Sequence, residues 1–357
     1  MHQAILKQYY FLKPFIPKSL QIYIRRMIVL LQRQAFKNTW PIDEESRTAP
    51  ENWQGWPDGK RFALVLTHDV EAETGVAKCH DLMKLEQERG FRSSFNFVPG
   101  DYPVAPEIRT KIKADGFEVG VHGWTHDGSL YKTREIFLDQ ARKINNCLKE
   151  WDVVGFRSPA MHHNLDWLRD LDIEYDLSTF DTDPFEPQPN GMGTIFPFPV
   201  KTDGCRKGYI EMPYTLPQDS TLFVIMREKT IDIWKRKLDW VAEHGGMVLV
   251  NTHPDYMNFT NASHGLGGYP ASYYAELLEY IKKRYEFVYW HPLPREMARF
   301  WADKYRDQTR NIILPGICDK AGSLECIEYP SDNVQVKVKV GGSSHIDLQD
   351  NLPGIEA

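Results

Sequence analysis

Between residue 61 and about residue 292, short runs rich in β-branched and aromatic residues alternate with stretches whose apolar positions recur every three to four residues. The short runs fall at 62–67, 94–98, 117–121, 153–156, 173–177, 209–212, 247–251 and 287–290. The helical patterns fall at 77–89, 105–115, 133–151, 164–171, 230–244 and 270–284. Strand–helix alternation predicts an α/β domain with a parallel sheet, and seven or eight such units predict a distorted (β/α)7-8 barrel over an open sheet. Residues 180–208 interrupt the pattern. Rich in Pro, Gly and Asp, they are too long for an ordinary connection and predict a functional loop over one barrel end.

The flanks read differently. In residues 1–37, Leu20, Ile24, Met27, Ile28 and Leu31 follow helical spacing after Ser19, a candidate N-cap. Arg25, Arg26, Arg33 and Lys37 lie largely off that stripe. A basic amphipathic N-terminal helix of this kind either lies on an anionic membrane surface or packs against the domain or a partner subunit. Residues 38–60 read as a turn-rich linker, 61–305 as the barrel and 306–357 as a C-terminal tail. Within that tail, the alternation Val334-Gln-Val-Lys-Val-Lys-Val340 predicts a small β appendage.

Composition narrows the class. A chain of 357 residues with 42% hydrophobic and 26% charged residues is globular in character. Its net charge of −6 leaves no basic footprint for nucleic acid. Lys7, Lys13, Lys18, Arg25, Arg26, Arg33 and Lys37 nevertheless precede the first acid, Asp43, so the body is more acidic than the total. Cys79, Cys147, Cys205, Cys318 and Cys326 are odd in number and without a C-x-x-C pair, which predicts reduced thiols in a cytoplasmic compartment. No run reaches the length of a membrane span, and no secretory signal is evident.

Polar residues gather where the predicted strands end: Thr67-His68-Asp69-Val70-Glu71, His122-Gly-Trp-Thr-His126, Arg157-Ser-Pro159, Asp181-Thr-Asp183, Pro213-Tyr214 and Thr252-His253-Pro254-Asp255. In a parallel barrel these ends open on one face, where barrel enzymes build their sites. His122 and His126 with a carboxylate would bind a divalent metal and leave an open position, as catalytic zinc requires. Gly123 stands where a zincin would carry its general-base Glu, and the pair follows a strand and not a helix start. His68-Asp69 matches the His-Asp pair of helical phosphohydrolases, but Ala63–Leu66 is a buried-strand run, which contradicts an all-helical setting.

Taken together, these residues resemble the polysaccharide deacetylase (NodB-homology) superfamily, carbohydrate esterase family 4, over about residues 61–292. The resemblance rests on Thr67–Val70, His122–His126, Arg157–Pro159, the Asp-rich segment Tyr175–Asp183 and Met247–His253, in that order. It implies a barrel in which His122 and His126 hold the metal. It further implies that Asp69, steadied by Arg157, deprotonates the attacking water, and that His253 protonates the departing amine. Two motifs depart from the family pattern. Val70 replaces an aspartate that normally ligates the metal, so either Glu71, on the same strand face as Asp69, supplies the ligand, or Asp69 does and Glu71 is the base. Asn251 and Thr252 stand where apolar residues usually line the acyl pocket.

Trp124, Tyr214 and Tyr256 are candidates to stack on a sugar, with core packing the alternative, and Asp183 is a further substrate-binding candidate. His162, His163 and His264 read as loop residues. The expected activity is hydrolysis of a non-peptide C–N bond, the N-deacetylation of an amino sugar in a polysaccharide or its precursor. The rival readings are a catalytically inactive carbohydrate-binding protein and a different metallohydrolase, an O-deacetylase or amidohydrolase.

Overall fold

The computed structural model describes residues 18–201, 207–260 and 267–310. Eight parallel strands curl around a common interior: β1 (Phe62–Val70), β2 (Ser94–Phe97), β3 (Glu118–His122), β4 (Gly155–Arg157), β5 (Tyr175–Asp176), β7 (Tyr209–Glu211), β8 (Met247–Thr252) and β11 (Tyr289–Trp290). β6 (Phe198–Val200) adds an antiparallel edge to β7. The small pair β9 (Met257–Asn258) and β10 (Tyr269–Pro270) stands apart. All nine residues of β1 are buried, as expected of a parallel strand covered on both faces.

β1 is the hub. It pairs with β8 over Ala63–His68, with β2 over Thr67–Val70 and with β11 at Phe62 and Ala63. From β2 the sheet runs through β3, β4, β5 and β7. No strand ladder joins β7 to β8. There the circle is completed by irregular backbone: the amides of Thr215 and Leu216 donate to the Leu249 carbonyl at 3.1 and 3.2 Å, and the Met247 amide donates to that of Ile195 at 2.8 Å. The expected barrel is therefore distorted at one identifiable seam.

Five helical patterns become helices within a few residues of their expected bounds: Cys79–Gln87, Pro106–Ala114, Arg134–Trp151, Asp232–Glu243 and Ala271–Tyr285. Arg134–Trp151 shows why. Thr133 accepts the Ile136 amide as N-cap, a stripe from Phe137 to Trp151 is buried, and Asp152 ends the helix in the left-handed region. The expected helix at 164–171 shrinks to a 3-10 turn, Trp167–Asp170. Asn164 Oδ1 accepts the amides of both Asp166 and Trp167, a local turn that competes with helix nucleation. Two elements escaped the sequence pattern. β6 sits in the supposed loop 180–208, where Pro199 is tolerated on an edge strand. Pro294–Arg310 is a helix so polar that only Pro294, Met297, Ala298 and Trp301 are buried among its described side chains.

Residues 38–60 hold two 3-10 turns and are packed, not loose, with Trp40, Ser46 and Trp56 buried. The N-terminal helix, α1, spans Lys18–Ala35, starting a residue before the expected cap Ser19. It seats on the barrel by its polar side. Arg25 and Arg26 donate to the carbonyls of Phe185 and Val224, Gln32 donates to that of Pro184, and Arg33 pairs with Glu228. No described helix is long and apolar enough to cross a membrane. Cys79 and Cys147 are buried free thiols, while Cys205, Cys318, Cys326, His264 and the 334–340 alternation lie outside the described residues.

Candidate metal centre

Strand register brings the site together. Thr67 is level with Asn251, Asp69 with Asn96, and His122 with Arg157. Because alternate residues of a strand share a face, Asp69 and the following Glu71 turn toward the interior, while Val70 points into the core and is fully buried. A cavity of about 410 Å3 opens at these strand ends, lined by Asp69, Glu71, His122, His126 and His253 among others.

Glu71 and Asp69 have different surroundings. One ligand atom each from Glu71, His122 and His126 lie within 4.8 Å of one another. Glu71 Oε1 is 3.2 Å from His126 Nε2, and Tyr256 donates to Oε2 at 2.5 Å. The Glu71 amide donates to Asp255 at 2.9 Å, fixing the backbone where it leaves β1. His122 Nδ1 is 3.2 Å from the Arg157 carbonyl, which makes it the donor and leaves Nε2 as a free lone pair. His122 Nε2 is buried without a hydrogen-bond partner, and His126 Nε2 points to the Glu71 carboxylate. An orphaned buried nitrogen is rare and costly, and a cation held by His122, His126 and Glu71 would satisfy it. The residues fit a divalent metal. Burial lowers the His122 pKa to about 4 and keeps the ring neutral, as a ligand must be.

Asp69 is enclosed differently. Oδ1 accepts from Asn96 and Arg157, both at 3.0 Å, and Oδ2 from Asn251 at 2.8 Å. Burial opposes its ionisation, but the Arg157 guanidinium, helped by His122, His253 and Asn96, outweighs burial and holds the carboxyl well below its usual range. Arg157 is itself fully buried, donating to Leu177 O, Thr67 Oγ1 and Asn251 Oδ1.

Across the cavity, His253 Nε2 lies 4.0 Å from Asp69 and 3.8 Å from Glu71. Its Nδ1 is 2.6 Å from Asp219 Oδ1, and its amide donates to Oδ2 of the same carboxylate, which also receives the Tyr269 hydroxyl at 2.8 Å. Burial opposes protonation of His253, but Asp219 prevails and pushes the pKa up to about 10. The centre thus pairs an ionised acid with a protonated imidazole.

The second and third motifs touch. Gly123 has φ +68°, and a Cβ there would lie 2.5 Å from Pro159 Cγ, so the turn between His122 and His126 needs glycine on both counts.

Asp69, Glu71, His122, His126, Arg157 and His253 come together, but other candidates do not. The acids of Tyr175–Asp183 reach neither His253 nor the cavity. Asp176 bonds Ser178, Asp181 pairs with buried Lys237, and Asp183 accepts from Tyr214. The partner of His253 is instead Asp219, announced in sequence only as an Asp before the turn Ser220–Ile225, where it caps the Ser220 amide. Tyr214 is buried, donating to both Asp183 and Glu186 at 2.9 Å. Trp124 packs on Gly100. Neither aromatic nor Asp183 is among the cavity's described lining residues. Asn251 does not line an acyl pocket but is committed to Arg157, Asp69 and Gln218. Arg25, Glu186 and Gln218 do line the cavity and were missed, because nothing in their local sequence ties them to the strand ends.

No protein-family model and no curated protein matches the sequence. Solved structures do match. A protein from Mycobacterium smegmatis assigned as a polysaccharide deacetylase aligns at 17% identity and TM-score 0.54, covering 77% of this chain and 99% of its own. The fold is that of the polysaccharide deacetylases. A second such assignment, from Pseudomonas aeruginosa PAO1, aligns at 17% identity and TM-score 0.53 over 70% of this chain and 94% of its own. PuuE allantoinase aligns at 16% identity and TM-score 0.54 over 70% and 93%. The deacetylase fold therefore hosts more than one substrate class, and the choice among them belongs to the site.

Proposed function

We propose that this chain is a divalent-metal-dependent hydrolase that removes an N-acyl group from an amino sugar in a glycan or its precursor. One observation carries the reading: Asp69 and His253 face each other 4.0 Å apart beside the Glu71–His122–His126 cluster, Arg157 favouring the ionised form of the first and Asp219 the protonated form of the second. Amide hydrolysis requires a base that begins deprotonated and an acid that begins protonated. A cation held by Glu71, His122 and His126, with zinc the best match to this donor set, supplies Lewis acidity that polarises the acyl carbonyl and acidifies water.

Asp69, locked by Arg157, Asn96 and Asn251, takes the proton of the attacking water. His253 delivers its Nε2 proton to the departing nitrogen, and Asp219 stabilises the imidazolium until then. Glu71 is the ligand and Asp69 the base. The absent aspartate at Val70 does not disarm the centre, since Glu71 occupies the face that Val70 leaves. This argues against an inactive sugar-binding protein.

Metal analysis of the wild type, Asp69→Asn and Glu71→Gln tests the assignment. Asp69→Asn is expected to keep its metal and lose turnover, whereas Glu71→Gln loses metal; the reverse pattern exchanges the two roles. Release of acetate from N-acetylated sugars, measured beside O-acetylated sugars and a cyclic ureide, tests the substrate class. Turnover of the ureide alone would reject deacetylation.

A further inference from the structure

Helix α1 is mounted inside out. Arg25, Arg26, Gln32 and Arg33 face the barrel, and Val29 is buried among them. The opposite side carries Leu20, Tyr23, Met27, Leu30 and Leu31, with Tyr23 60% and Leu31 67% exposed. Their spacing of three and four residues makes one continuous apolar stripe along the helix. A soluble surface helix normally turns such a stripe inward. Phe36 and Lys37, just beyond the helix, are exposed as well.

The helix borders the cavity by the side opposite the stripe. Arg25, on the same helix, lines it, and Arg26 bonds Val224, a neighbouring lining residue. We infer that the face formed by Leu20, Tyr23, Met27, Leu30 and Leu31 docks this chain on an anionic lipid bilayer.

Charge selects this occupant over a second copy of the chain. No acid precedes Asp43, and besides the barrel-facing Arg25, Arg26 and Arg33 that segment carries Lys7, Lys13, Lys18 and Lys37, in a protein whose total charge is −6. Two such segments brought face to face would repel, whereas anionic headgroups attract each one at about 1 kcal/mol per cation near the surface. The five side chains alone also fall short of the about 800 Å2 per partner of a stable protein interface. Apolar side chains flanked by Lys37 and a basic segment match the composition of helices that lie in the headgroup region. The inference concerns binding alone and holds whatever the reaction proves to be.

The test is flotation of the full chain with vesicles of phosphatidylcholine, with and without phosphatidylglycerol. Binding to phosphatidylglycerol vesicles is expected, weakening as salt rises. A Leu30→Asp/Leu31→Asp variant is expected to bind at least about tenfold more weakly, with its melting temperature and metal content unchanged. Leu20→Ser, a milder change on the same face, is expected to weaken binding in the same direction. Absence of binding to anionic vesicles, or equal binding by the wild type and both variants, overturns the inference. So does a dimer in sedimentation that the Leu30→Asp/Leu31→Asp variant dissolves, since the face would then belong to a second copy.

Discussion

The cavity has two walls built on different principles. One wall, at the ends of β1, β3, β4 and β8, is set by backbone register: once Thr67 is level with Asn251 and His122 with Arg157, the side chains at the strand ends have little choice of position. The other comes from α1, residues 184–187 and residues 220–225, and is held by side chains reaching to carbonyls, such as Arg26 to Val224 and Gln32 to Pro184. Ladder hydrogen bonds fix a position many times over, whereas a long side chain on one carbonyl fixes it once. Chemistry is expected to reside on the first wall and adjustable recognition on the second.

The comparison breaks most visibly at the first wall. His126→Ala is expected to abolish stoichiometric metal and lower kcat/KM by about 10³-fold or more, with the fold kept by far-UV circular dichroism; full metal content in this variant would sink the centre. Next comes Asp219→Asn, expected to lower kcat about 10²-fold and to bring the alkaline limb of the rate profile down from near pH 10 toward the ordinary histidine range. The same substitution carries a stability signature in the metal-free protein. The folded His253 pKa lies above its unfolded value near 6.5, so its contribution is complete below about pH 6.5 and is lost as pH rises toward about 10. Urea melts across that window should show the loss in the wild type and not in Asp219→Asn.

Tyr256→Phe removes the hydrogen bond to Glu71 Oε2 and is expected to weaken metal binding about tenfold, measured by competition with a chelator. The smallest effect belongs to the second wall. Arg26→Ala combined with Gln32→Ala should raise KM about threefold to tenfold with little change in kcat. A kcat loss as large as that of Asp219→Asn would erase the distinction between the walls.

The same division explains what was legible in the sequence. Residues of the first wall announce themselves because an apolar run followed by His, Asp or Arg marks a strand end, and parallel strands end on one face. Glu71 could be named as an alternative ligand from two-residue periodicity alone. Choosing it over Asp69 required Arg157, Asn96 and Asn251, which engage Asp69 from three other strands. Asp219 was hidden because the bond that matters spans 34 residues and two irregular segments. The orientation of α1 was hidden too. Its periodicity defines two faces, but only the carbonyls of residues 184, 185 and 224 decide that the arginine side turns inward.

The contact between Gly123 and Pro159 reaches beyond this molecule. Each residue occupies the space the other would need to grow, so the histidine turn and the arginine loop cannot drift separately. Among descendants of a common ancestor, the two positions should be inherited as a unit, a larger residue at 123 surviving only where 159 has lost its ring and the turn has left the positive-φ region.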